Sequence, residues 1–243
     1  MSNNVNTKKV NSHNLSFFVI MIIGDNMASA IIHLCIAKRV NEILKRDEKE
    51  FLLGSIAPDI SKQVGESKLH SHFLTSVDRD IPELDRFLIK YKDTLKNNDF
   101  NLGYYCHLFA DMIWFGIFMP EFCKLKDQEI TYITGEKKTL KSEVLIKLLY
   151  NDYTNLNIQM IDEYELDLSL FYEEHPHIES EITEIPIDKI NLIIEKMGLI
   201  IEESKERGTI IFDKDAICRY IDKTVEEFIY NLKEIGVVEW VQY

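Results

Sequence analysis

The chain has 243 residues, 46% hydrophobic and 28% charged, proportions that exclude a largely disordered protein and allow one sizeable core. Its formal net charge is −13 and no Lys/Arg cluster or basic-aromatic stripe stands out, so nucleic acid and anionic lipid surfaces are poor partners for the surface as a whole. A bound metal would still make one pocket locally positive.

Residues 1–26 read as an N-terminal extension outside the core, with Met27 as the natural start and 27–243 as a single helical domain. The extension carries one short apolar run, Leu15–Ile23, after Lys8 and Lys9. With Ala28-Ser29-Ala30 downstream it imitates a signal peptide, and in that case the protein would be exported. Cleavage after Ala30 would cut into the first amphipathic helix, and Gly24-Asp25-Asn26 interrupts the pattern, so the extension reading is preferred. No segment reaches the roughly 20 apolar residues of a membrane-spanning helix, and no stable membrane insertion is expected.

From Met27 to about Lys45, Ile31, Ile32, Cys35, Ile36, Val40, Ile43 and Leu44 recur with helical spacing, and His33 lies among them. Phe51-Leu52-Leu53 leads into Gly54-Ser55-Ile56-Ala57-Pro58-Asp59, where Gly and Pro break the helix and present Asp59 in a loop. Residues 60–68 read as loop, followed by His70 and His72 at alternating positions. A helix over 82–97 opens at Pro82. The next helix, about 101–118, is apolar nearly all round and should be central. Residues 127–138 read as a surface loop or a short hairpin; further helices are expected at about 140–161, 164–174, 187–204 and 214–235, and Thr209–Phe212 as a short strand. The pattern predicts an all-α protein.

The four cysteines, Cys35, Cys106, Cys123 and Cys218, form no C-x-x-C, which argues against a zinc ribbon or redox dithiol. They read as buried free thiols of a reducing, cytoplasmic compartment.

The central helix carries His107 and Asp111, four residues apart and therefore on one face, roughly 5–6 Å apart at Cβ. A buried ionised Asp is costly unless paired or bound to metal. A His–Asp pair inside the core would satisfy that condition, and so would a cation shared with His33, Asp59 and His72, since imidazole and carboxylate are the usual ligands of zinc and other borderline divalent ions.

Met27-Ala28-Ser29-Ala30-Ile31-Ile32-His33, Gly54-Ser55-Ile56-Ala57-Pro58-Asp59, Ser71-His72-Phe73 and Gly103-Tyr104-Tyr105-Cys106-His107-x3-Asp111 together resemble the zinc-dependent phospholipase C family. The likeness is greatest to its uncharacterised cytoplasmic bacterial branch, covers about Met27 to Pro176, and is looser over Asp167 to His175-Pro176. It implies an all-α, phospholipase C/P1-nuclease-like fold with a zinc site of one or two ions between helices, and hydrolysis of a phosphate ester, phospholipid or soluble. Asp59, His72, His107 and Asp111 would form one metal site, with His33 at an adjacent metal and Asp111 bridging. Asp59 would also orient or deprotonate the attacking water.

The chain departs from the family in two places. Secreted members use an N-terminal Trp as a ligand, and Ala28 and Ser29 follow Met27 here; they also carry a histidine soon after the H-x3-D, where this chain has Trp114-Phe115-Gly116-Ile117-Phe118. The family's remaining H-x3-E would be His175 with Glu179 or His177 with Glu181, unless that stretch is a plain surface turn. These gaps leave open a helical protein with a structural or degenerate metal site that binds a partner. An HD-type phosphohydrolase needs an adjacent His-Asp, and no histidine here is followed by Asp. Trp114, Tyr104 and Tyr105 fit core or pocket.

Overall fold

A computed structural model describes residues 30–76, 79–124, 128–174, 177–204 and 207–239. The proposed extension and His175 lie outside them.

Helices dominate. The first, α1 (Ala30–Leu44), is buried from Ala30 through Ala37. The loop after it is closed by Asn41, whose side-chain oxygen accepts from the Arg46 amide at 2.8 Å. Asp47 then caps α2 (Glu48–Ile56), accepting from the Glu50 amide, with Glu48 and Glu50 placed favourably in the first turn.

Gly54 and Pro58 do not break the chain into a loop. Pro58 sits at the start of a 3-10 turn, Ala57–Asp59, where its missing N–H costs nothing. The turn runs straight into α3 (Ile60–Gln63), and α4 (Lys68–Ser71) follows. Asp59 is thus held on a helical turn and buried. Next come α5 (Leu84–Tyr91) and a 3-10 turn over Lys92–Thr94, shorter together than the expected 82–97.

The central helix is longer than expected. Asn98 caps α6 (Asp99–Ile113), a π-helical segment spans Trp114–Phe118, and α7 (Met119–Phe122) completes it. By length and composition Asp99–Phe122 would be apolar enough to cross a membrane. Its side chains are instead mostly buried against the other helices, as befits a core helix.

A small antiparallel sheet follows, β1 (Cys123–Lys124), β2 (Glu129–Thr131) and β3 (Lys137–Thr139), with Ile130 opposite Cys123 and Lys138. The chain closes with α8 (Ser142–Glu163), α9 (Ile190–Glu203) and α10 (Lys214–Glu234). Two expectations fail. The 164–174 stretch holds only a 3-10 turn, Ser169–Phe171, started where Asp167 accepts from the Ser169 amide. Thr209–Phe212 is not a strand: Asp152 accepts from the amides of Ile210, Ile211 and Phe212, which satisfies them without a neighbouring strand.

One contact positions the site. At Gly54 an added Cβ would lie 2.1 Å from the Phe100 carbonyl oxygen, and at Gly103 the same distance from that of Phe51. Helices α2 and α6 therefore cross backbone to backbone, which any side chain at either position would prevent. Trp114, Phe118, Phe212 and Tyr220 pack together at the other end of the central helix, so Trp114 is core.

Candidate metal centre

The Gly54–Gly103 crossing brings the end of α2 under the middle of α6. The Ser55 carbonyl there accepts from His107 Nδ1 at 2.7 Å. A carbonyl can only accept, so Nδ1 holds the ring proton and, in the neutral imidazole, Nε2 is left with a bare lone pair.

His72, at the end of α4, is fixed by a longer chain. The Ser61 hydroxyl donates to the Pro58 carbonyl, and Ser61 and Ser71 lie 2.9 Å apart at their hydroxyls. Ser71 must then donate to Ser61, and His72 Nδ1, 2.9 Å away, to Ser71. Again Nε2 is left bare. The two bare atoms, His72 Nε2 and His107 Nε2, stand 3.2 Å apart.

The carboxylates complete the group. Asp111 Oδ2 is 3.6 Å from both of those nitrogens, and Asp59 Oδ1 is 3.6 Å from His72 Nε2. The other Asp111 oxygen, Oδ1, lies 3.3 Å from His33 Nε2. His33 comes from α1 and stacks on His107, with ring centroids 3.8 Å apart. Asp111 thus divides its oxygens between His33 and the His72/His107 pair. Each of the triads Asp59/His72/His107 and His33/His107/Asp111 has donor atoms close enough to share one ion. All five side chains are buried.

Charge states agree with that use. Burial pushes His33 below its ordinary range, His107 adds to this, and the Asp111 carboxylate opposes it. Burial, with the Lys68 ammonium and His107, holds His72 well below its ordinary range. Burial would raise Asp59, but Lys62 and Lys68 reverse that and keep it ionised. Burial likewise opposes ionisation of Asp111, and His107 and His33 overcome it. His33 and His72 neutral beside ionised Asp59 and Asp111 are the protonation states that a divalent cation requires of those four ligands.

Two observations test the fit of such an ion. Donors about 2.0–2.2 Å from a tetrahedral zinc are about 3.3–3.6 Å apart from one another, close to the 3.2–3.6 Å that separate His72 Nε2, His107 Nε2 and Asp111 Oδ2 pairwise. Two buried polar atoms of the cluster also lack a well-directed hydrogen bond: His33 Nδ1, and Asp59 Oδ1, although the Lys62 ammonium stands 2.9 Å from the latter. Two imidazoles in the donor set suit zinc better than calcium or magnesium, which take oxygen.

Other sequence candidates fall away from this centre. His70 is exposed on α4, and His177 is exposed while the Glu181 carboxylate accepts from Asn101. Tyr104 donates to the Ser71 carbonyl and Tyr105 to Asn231, so both are structural. The residues that the sequence did not reveal are Lys62, Lys68, Ser61 and Ser71. Only the i,i+3 spacing of Asp59 and Lys62 pointed to any of them, and then only if the helix continues past Pro58.

No curated protein and no solved structure matches the chain. The family model for zinc dependent phospholipase C matches residues 24–180, a span that holds all five clustered residues. The chain belongs to the zinc-dependent phospholipase C family.

Proposed function

We propose that this protein is a metal-dependent phosphoric-ester hydrolase whose cation is zinc. Asp59, His72, His107 and Asp111 would hold the first ion, and His33 would serve an adjacent one with Asp111 as the bridge. The observation that carries this reading is the convergence of His72 Nε2 and His107 Nε2, two lone pairs 3.2 Å apart whose rings are each locked by a hydrogen bond at Nδ1. Such outer partners orient metal-binding histidines and raise their basicity. When bound, a divalent ion supplies polarisation of a phosphoryl oxygen and a lowered pKa for water.

The chain's own groups divide the remaining work. Ser55 and the Ser61–Ser71 relay fix the two rings. Asp111 spreads one carboxylate across both halves of the cluster. Asp59, kept ionised by two ammoniums, is a weak base, which suits it to orienting a water and disfavours it as the proton acceptor. The substrate is a phosphate ester, from a phospholipid or a soluble diester.

Metal analysis and ester hydrolysis test the reading together. Purified protein should bind zinc at micromolar concentration or better. The zinc-loaded form should cleave phosphatidylcholine vesicles or bis(p-nitrophenyl) phosphate, and a chelator should abolish this. Absence of zinc binding, or zinc binding without cleavage of any phosphate ester, would sink it.

A further inference from the structure

We propose that Lys62 and Lys68 form an anion subsite beside the cation cluster that takes the non-bridging oxygens of the substrate's phosphoryl group. This assignment rests on the hydrolase reading above and adds to it the residues that recognise the phosphate.

Both ammoniums aim at one atom. Lys62 Nζ is 2.9 Å and Lys68 Nζ 3.8 Å from Asp59 Oδ1, and the same oxygen faces His72 Nε2 at 3.6 Å. One lysine would suffice to neutralise one carboxylate. The second, 32% exposed, places a like charge beside the first that an arriving anion would help to offset.

The charges of the pocket sharpen the point. By formal charge the carboxylates of Asp59 and Asp111 are matched by the ammoniums of Lys62 and Lys68. A single divalent ion in the cluster would leave two positive charges uncompensated. A phosphoryl group, carrying its charge on non-bridging oxygens, would meet both ammoniums and the ion at once.

Access and chemistry are consistent with this role. The Lys62 side chain is 7% exposed and that of Lys68 32%, against 1–8% for His33, Asp59, His72, His107 and Asp111. Lys68 therefore connects the cluster to solvent, with Lys62 deeper. A lysine is a point charge on a flexible stem, able to turn from Asp59 to an arriving oxygen without a fixed fork geometry.

The test is calorimetric titration of zinc-loaded protein with inorganic phosphate, with bound zinc measured for every variant. Lys68→Met and Lys62→Met should each weaken phosphate binding at least tenfold with zinc retained. Lys68→Arg should recover most of the loss, and Lys49→Met, on an exposed pair with Glu173, should change nothing. If Lys62→Met fails to fold, because it strips a buried carboxylate of its nearer partner, Lys68→Met alone decides. Phosphate affinity that is unchanged in Lys68→Met with zinc in place overturns the subsite, as does wild-type protein that binds no phosphate. Lysine-dependent phosphate binding by a protein that cleaves no ester would overturn the hydrolase reading and leave the subsite standing.

Discussion

His72 Nε2 and His107 Nε2 face each other at 3.2 Å, and each ring donates from Nδ1 to an acceptor on its far side, so that in the neutral rings both Nε2 atoms carry a lone pair. Two opposed lone pairs in a buried space repel, and a cation between them converts that repulsion into coordination. Zinc added to metal-free protein should therefore raise the melting temperature. At free zinc 100-fold above the dissociation constant the gain is about 2.7 kcal/mol, or roughly 5–10 °C for a chain of this size. A melting curve indifferent to zinc would remove the cluster's rationale.

Acid should act in the opposite direction on the metal-free protein. His33 and His72 have depressed folded pKa values against an ordinary 6.5. Between the folded pKa and about 6.5 the unfolded chain binds more protons than the folded one, so stability rises with pH there. The contribution is complete above about pH 6.5 and is lost as pH falls toward the folded values. Asp59 and Asp111 add a loss of the same sign below the ordinary carboxylate value of 3.8. Melting temperatures of the stripped protein should change little between pH 7.5 and 6.5 and fall at pH 5.5 and 5.0; a flat series contradicts the shifts.

Asp111→Asn should cost more bound zinc than any other single change in the cluster, and more than His175→Ala. Both Asp111 oxygens are committed, Oδ1 toward His33 and Oδ2 toward His72 and His107. An amide offers one acceptor and no charge. Zinc per chain after dialysis, compared across both variants, checks this. Equal losses would mean that His175 is a full ligand.

Ser71→Ala should weaken zinc binding about 10–100-fold and lower the melting temperature of the metal-free protein by a few degrees, since a buried N–H loses its acceptor. Without the Ser71 hydroxyl, His72 Nδ1 loses the acceptor that fixes its tautomer. Competitive titration against a chromogenic chelator would measure the change. Unaltered zinc affinity would show that the serine relay has no part in orienting the ring.

Much of this centre was legible because His and Asp advertise their chemistry. His33, His107 and Asp111 sit at helical positions whose burial follows from the apolar residues around them, and the H-x3-D spacing implies a shared face. Asp59 stands out in the sequence as a candidate ligand but reads there as a loop residue, because Pro58 reads as a breaker where it in fact opens a turn. Lys62 and Lys68 escaped notice for a different reason. A lysine in a polar stretch reads as solvated surface, and only the fold reveals that both heads turn toward one carboxylate. The relay through Ser61 and Ser71 was equally hidden, since a hydroxyl's partner is a matter of space. The absent strand at Thr209–Phe212 shows the same limit: the three amides find Asp152, a residue far away in sequence.

Gly103→Ala should lower the melting temperature by roughly 5–10 °C, corresponding to about 2–3 kcal/mol of overpacking, because the new methyl would sit 2.1 Å from the Phe51 carbonyl oxygen. Zinc affinity should fall with it as Ser55 is pushed away from His107. A variant with wild-type stability and affinity would show that α2 and α6 can part without harm.

That glycine contact also bears on how the ion comes and goes. The spacing between the ligand-bearing helices is set by peptide atoms, which have no rotamers to relax, and needs no ion to maintain it. In domains that fold around their metal, removal of the ion is unfolding. Here the vacant pocket would keep its shape, so little binding energy is spent on ordering ligands. Such a centre can be stripped and reloaded in place, and exchange of one divalent ion for another becomes a question of supply and donor chemistry with no refolding step.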